Sequence, residues 1–196
     1  IPQESYGSLY MFTRWMFYQR RGYIWQRANH HALICNALER VFNGETKRLI
    51  INIPPRYSKT EIAVVNFIAW AMGCVPDCEF IYASYSATLA VNNSVQIRNL
   101  VQHEEYRAIF PDLALASESS HHWKTTAGGV MYATGTGARL PALVRANTAR
   151  GSAAQSYWTI CTRPTKHEAR SDGRMLSTGF KIRWNHGRTA PIHRLS

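Results

Sequence analysis

Ile50-Ile51-Asn52-Ile53-Pro54-Pro55-Arg56-Tyr57-Ser58-Lys59-Thr60-Glu61 decides how the rest of the chain is read. A β-branched run leads into a short loop, and Lys-Thr then opens a long apolar stretch. This is the layout of a phosphate-binding loop. The strand delivers the loop, backbone N–H groups wrap the phosphates, and the helix N-terminus adds the positive end of its dipole. In that pattern Lys59 reaches the β/γ-phosphates and the Thr60 hydroxyl binds Mg²⁺. The general form is G-x-x-x-x-G-K-[ST]. Here Ile53 holds the first glycine position and Ser58 the second. The alternative is a strand–turn–helix in which Lys-Thr only starts a helix.

The flanks favour the first alternative. Thr60 to Gly73 reads as a mostly buried helix ending at a glycine C-cap. Cys78 to Ser86 reads as a second strand. Strand, loop, helix and strand form a βαβ unit, the setting in which the motif carries weight.

With those residues in view, the chain resembles a known family. Leu49 to Glu61 is similar to the Walker A region of bacteriophage terminase large subunits, the DNA-packaging motors. Members commonly read I-P-P-R-[HY]-G-K-[ST]-E there. Ala83-Ser84-Tyr85-Ser86 with Leu89-Ala90 resembles the second motif of the family. Gly128-Gly129-Val130-Met131-Tyr132-Ala133-Thr134-Gly135 resembles the strand before its glycine-rich GGTITGFGAG segment. The likeness spans roughly residues 10 to 137 and departs at Ser58. A serine held at positive φ there costs about 1 kcal/mol.

The resemblance implies an α/β fold of the P-loop NTPase kind (RecA/ASCE-like), with a mostly parallel sheet flanked by helices and here incomplete. It implies ATP and Mg²⁺ as cofactors, with Pro55, Arg56, Tyr57, Ser58, Lys59 and Thr60 around the nucleotide. Thr60 is the metal ligand and Arg56 the γ-phosphate sensor. The implied partners are double-stranded viral DNA, the small terminase subunit and the portal, in the cytoplasm of a bacterial host and without a membrane. A helicase-like P-loop ATPase shares the loop. A non-enzymatic basic DNA-binding protein is the third alternative, with salt-dependent, sequence-independent binding as its signature.

A chain of 196 residues suits one domain with a real core. It begins with Ile, so a fragment is expected. No stretch reads as a signal peptide. The longest apolar run, Ile62 to Val75, is too short to span a bilayer and is interrupted by Asn66. Cysteines stand at 35, 74, 78 and 161; the Cys74/Cys78 pair has no second pair, so free thiols are expected rather than zinc. His30-His31 and His121-His122 read as surface or packing residues.

Several further elements are expected. Leu9, Phe12 and Met16 place a helix before Arg20-Arg21-Gly22, chiefly for packing rather than base stacking. Asn29 reads as the N-cap of a second helix to Phe42, with Leu33, Ala37, Leu38 and Val41 on one face and Asn43-Gly44 ending it. By the resemblance this helix frames the adenine. Ala87 to Val101 reads as a helix, with Gln96 and Arg98 on a solvated face, and Glu104 to Ile109 as its extension. Ser117 to Thr126 reads as a loop and Gly128 to Gly135 as a strand.

The net charge of +11 is unevenly placed. Residues 1–137 carry 12 Lys/Arg against 10 Asp/Glu; residues 138–196 carry 11 against 2, Glu168 and Asp172. The latter segment offers no Walker B strand, in which an apolar run ends in carboxylates that hold Mg²⁺ and orient water. Its periodicity reads as weak and its prolines as scattered.

The family pattern also breaks there, since Gly137 runs on into Ala138-Arg139-Leu140-Pro141. Reverse translation with a one-base offset restores it. Trp158 (TGG) followed by Thr159 (AC-) forces an aspartate codon, and Trp184 followed by Asn185 forces glutamate. With permitted codons, Ala138 to Ala154 becomes GTITGFGAGKHGAGFGG. Gln155 to Lys166 becomes AIILDDLHKADE, with the forced aspartate at the Walker B position. His167 to Ser196 becomes a linker containing DWF. Loss of one G near the Gly137 codon produces this shift. The expectation is therefore a partial ATPase domain over 1–137 and an out-of-frame, disordered tail over 138–196. Neither Walker B nor the nuclease domain of full-length members is expected, so nor is catalysis. Sequencing the coding DNA across the Gly137 codon checks this; finding no offset that restores the segment refutes it.

Overall fold

The computed structural model describes residues 7–135, 157–164 and 178–185. In chain order these form α1 (Leu9–Arg21), α2 (Asn29–Phe42), β1 (Arg48–Ile53), a π-helical turn (Glu61–Asn66) running into α3 (Phe67–Cys74), β2 (Glu79–Ser84), α4 (Ala87–Val101), α5 (Glu104–Ile109), β3 (Leu115–Glu118), β4 (His122–Thr125), β5 (Val130–Gly135), β6 (Tyr157–Pro164) and β7 (Thr178–Asn185).

The chain is α/β, as expected, with one mixed sheet in the order β1-β7-β6-β2-β5-β4-β3. The expectation of a mostly parallel sheet is corrected. Only β2–β5 and β2–β6 are parallel neighbours; β1–β7, β6–β7, β3–β4 and β4–β5 are antiparallel. Between β3 and β5 the cause is connection length. The links are far shorter than the dozen or so residues a parallel crossover needs. The pairings nevertheless leave β1, β2, β5 and β6 pointing the same way. β1 and β2 are thus the two arms of a crossover through the π turn and α3, with β6 and β7 between them.

Strands β6 and β7 lie within the segment expected to be disordered, which corrects that expectation for 157–164 and 178–185. The sequence gives the reason. Tyr157-Trp158-Thr159-Ile160-Cys161-Thr162 is rich in β-branched and aromatic residues. In β7, Phe180, Ile182 and Trp184 alternate with Lys181 and Arg183. That period of two is set among the basic residues of the segment.

The core is built on the stretch from Ile62 to Met72, all of it buried. A helix apolar on every side must be covered on every side. Helices α1, α2 and α4 pack on its first turn, and α1 and α4 also meet α3. From α1 come Leu9, Phe12 and Met16, and from α2 Ile34, Cys35, Leu38 and Val41. Burial pushes the Cys35 thiol up to about 12.

Helix ends largely follow the expected chemistry. Gly22 takes φ 75° and its N–H donates to the Tyr18 carbonyl at 2.8 Å, closing α1. Gly44, at φ 78°, follows α2. Three details differ. Asn29 is the first helical residue of α2 and Ala28 the N-cap; His31 Nδ1 accepts the Ala28 N–H at 3.3 Å and satisfies that end. Leu33 is 68% exposed, and the packed face runs through His31, Ile34, Cys35, Leu38 and Val41. Gly73 is inside α3, which ends at a Val75 cap. Gly73 serves close approach instead: a Cβ there would lie 2.4 Å from the Phe110 ring. That ring packs on Phe12 and Tyr106, and Tyr106 donates to the Ala69 carbonyl at 2.7 Å.

The 117–126 stretch is also corrected, from loop to hairpin. Trp123 and Thr125 alternate inward with Lys124 between them. Arg98, partly exposed on α4, donates to the Glu118 carbonyl. At the base of β5, a Cβ on Gly129 would stand 2.3 Å from the Pro76 carbonyl oxygen and 2.9 Å from that of Cys78. Both are backbone atoms, so Gly129→Ala is expected to lose about 2 kcal/mol. Urea denaturation measures this, and an unchanged midpoint would contradict the packing described.

Candidate functional site

β1 ends at Ile53, and the chain turns through residues 54–58 before entering the helix. Two residues in this turn carry its shape. Arg56 (φ 67°) and Ser58 (φ 58°) are the non-glycine residues at positive φ among the described residues. Each costs about 1–2 kcal/mol in that conformation, and such strain collects at ligand clamps. Ser58 thus holds the left-handed backbone that a glycine adopts freely at the second glycine position of a phosphate loop. The Ile62 N–H donates to the Ser58 carbonyl at 2.9 Å, so the helix begins from the strained residue.

Within this turn the six residues singled out from the sequence are brought together but differ in exposure. Pro55, Arg56, Tyr57 and Thr60 are exposed and Ser58 is half-buried. Lys59 is 6% exposed, and its Nζ donates back to the Ile53 carbonyl at 3.2 Å. The ammonium is therefore turned back onto the strand end that opens its own loop, and Thr60 is exposed at the helix start. Glu61 points away, paired with Arg20 of α1 at 2.7 Å.

The sheet places the loop at one edge. β1, β2, β5 and β6 all finish there, and Ser84 pairs in register with Gly135 and Thr162. Open α/β sheets bind ligands outside the carboxyl ends of such strands. Beside Ser84, Ser86 caps α4, its Oγ accepting the Leu89 N–H at 3.4 Å. In these four strands the sole acid is Glu79, at the opposite end of β2. Among the described residues no group of three or more His, Cys, Asp or Glu could hold a metal ion. Glu168 and Asp172 lie outside the described residues.

A feature not foreseen is an aromatic series ending on the loop. Trp25 stacks on His31 with ring centroids 4.3 Å apart, His31 meets His30 at 4.2 Å, and His30 meets Tyr57 at 5.5 Å. Burial, then the neighbouring His30, pushes the His31 pKa down. The His-His dipeptide was the signal, since adjacent histidines at a helix start can reach both the core and the loop. Gly137 and, of the segment expected to be out of frame, residues 138–156, 165–177 and 186–196 lie outside the described residues. Among the described residues no helix is long and apolar enough to cross a membrane. Compared with models of protein families, with curated proteins and with solved structures, the chain matches none.

Proposed function

We propose that residues 54–60 bind the phosphates of ATP, and that the chain is the nucleotide-binding part of a P-loop NTPase of the terminase large-subunit kind. The observation that carries this is the loop itself. Its backbone is held left-handed at 56 and 58, and Lys59 is folded onto the Ile53 carbonyl at the edge where four co-directional strands end. Backbone N–H groups and the helix N-terminus supply the anion site. Lys59 swings from the carbonyl to the β/γ-phosphates, Arg56 contacts the γ-phosphate, and Pro55, Tyr57 and Ser58 line the approach.

The Thr60 hydroxyl fits one Mg²⁺ position, the rest of the shell coming from phosphate and water. Hydrolysis needs more: a carboxylate that completes the metal shell and a group that orients water. β6, running parallel beside β2, carries no acid in this reading frame. The chain therefore binds nucleotide without turning it over. By resemblance the complete motor acts on double-stranded viral DNA with a small subunit and a portal, in the bacterial host cytoplasm. A one-base offset after Gly137 accounts for the missing acidic half, which a helicase-like alternative leaves unexplained.

Displacement of a fluorescent ATP analogue tests the binding, and phosphate release tests the turnover. Saturable binding that strengthens with Mg²⁺ is expected, together with release no faster than in Lys59→Ala. Absence of binding at millimolar ATP would remove the proposal; Lys59-dependent release would overturn the claim of inactivity. Ser58→Gly supplies a second check. Relief of about 1 kcal/mol of strain is offset by the 0.5–1 kcal/mol greater freedom of unfolded glycine, roughly. Its melting temperature should barely move while ATP binds several-fold tighter, because no Cβ then crowds the loop amides. Weaker binding by this variant would count against a phosphate at that position.

A further inference from the structure

The first turn after the loop is π-helical, from Glu61 to Asn66, and Phe67 donates its N–H back five residues to the Ile62 carbonyl. Single π turns are uncommon and concentrate at functional sites. This one is held by side chains. Asn66 is fully buried, and its Nδ2 donates to the Glu61 carbonyl at 2.7 Å and to Glu61 Oε1 at 2.9 Å. The same Oε1 accepts from Arg20 of α1 at 2.7 Å, with the two side chains 13% and 17% exposed. Asn66 Oδ1 is buried without a hydrogen-bond partner.

An asparagine with an orphaned oxygen is a poor choice for this position. Ile62, Val65, Phe67 and Ile68 around it are all buried and apolar, and a leucine would pack there without an unmet carbonyl. Residues that break the local rule in this way are expected where function constrains the site. The position of Glu61 is equally pointed, because it directly follows Thr60 at the phosphate end of the helix. An unpaired carboxylate there would repel phosphate. Arg20 and Asn66 together turn it aside.

We propose that Arg20, Glu61 and Asn66 are positioning residues that hold the π turn, fix where Lys59 and Thr60 present to a phosphate, and keep the Glu61 carboxylate off it. This rests on the phosphate-loop proposal above. The network also ties the loop to α1, so a shift of α1 would be felt at Lys59.

Two measurements test it on the full chain. Backbone chemical shifts and amide exchange of residues 59–67, without nucleotide, report the helix register. Titration with Mg·ATP reports the loop. Asn66→Leu is expected to return the turn to α-helical shifts, keep or raise the melting temperature, and weaken ATP about tenfold, the size of one lost charge-assisted hydrogen bond. Arg20→Ala should weaken ATP similarly, and Arg20→Ala/Glu61→Gln should recover most of the loss. Glu61→Gln alone keeps both acceptors and should bind as wild type. A purely structural role would move melting temperature without this pattern of rescue. Wild type that binds ATP while Asn66→Leu and Arg20→Ala bind it equally well overturns the proposal alone. Wild type that binds no ATP overturns it together with the phosphate-loop proposal. Unchanged shifts over 61–67 in Asn66→Leu overturn the claim that Asn66 holds the register.

Discussion

Lys59→Ala is expected to weaken ATP binding by at least about 100-fold, or about 3 kcal/mol. The side chain is 6% exposed and its Nζ already sits within the loop, 3.2 Å from the Ile53 carbonyl. It is pre-placed, so little ordering opposes its move to phosphate. Lys59→Arg is expected to fail as well, since a planar guanidinium does not fit a site shaped for a compact ammonium. Calorimetric titration gives the affinity, and far-UV circular dichroism checks that both variants fold. Equal ATP affinity in wild type and Lys59→Ala would mean that nucleotide does not use this loop.

The second large effect is on stability. Trp123→Ala should lose about 3–5 kcal/mol, enough to unfold much of a marginal domain. The indole is fully buried and its Nε1 donates to Ser94 Oγ at 3.1 Å, tying β4 to α4. Truncation leaves both a cavity and an unmet hydroxyl. Leu33→Ala is the control: at 68% exposed it should stay within about 0.5 kcal/mol of wild type. Guanidinium melts of the two variants decide. A Trp123→Ala loss below about 1 kcal/mol would show that the β3–β4 hairpin does not seal the core.

The strand, loop and buried helix around Lys59 were legible because each has a strong local signal: β-branched residues, Pro-Pro, then an apolar run interrupted by Asn66. The approximate spans of α1, α2 and α4 were legible, and the ends of α1 and α2 from the glycines that follow them. Sheet direction was not. It depends on which strands are neighbours, and the short links around β4 were hidden while 117–126 read as loop. The tail misled for a different cause. Its arginines drew attention from the alternation of Phe180, Ile182 and Trp184, so β7 and its antiparallel place beside β1 went unseen. Gly73 shows the limit at single positions. A glycine near a helix end suggests a cap, and only the Phe110 ring, 37 residues away in sequence, shows why it is a glycine.

At the site, the motif placed Lys59 and Thr60 but said nothing of the Arg20–Glu61–Asn66 network. That network joins residues 41 and 5 apart in sequence. Asn66 was visible only as an interruption of an apolar run. Its meaning comes from the π turn, which no composition or period announces.

Backbone amide shifts on adding Mg·ATP to the wild-type chain test the central claim most directly. The account predicts that the largest changes fall on residues 56–61, and that Lys59→Ala abolishes them. Shifts confined to other parts of the chain, or none at millimolar ATP, would contradict it.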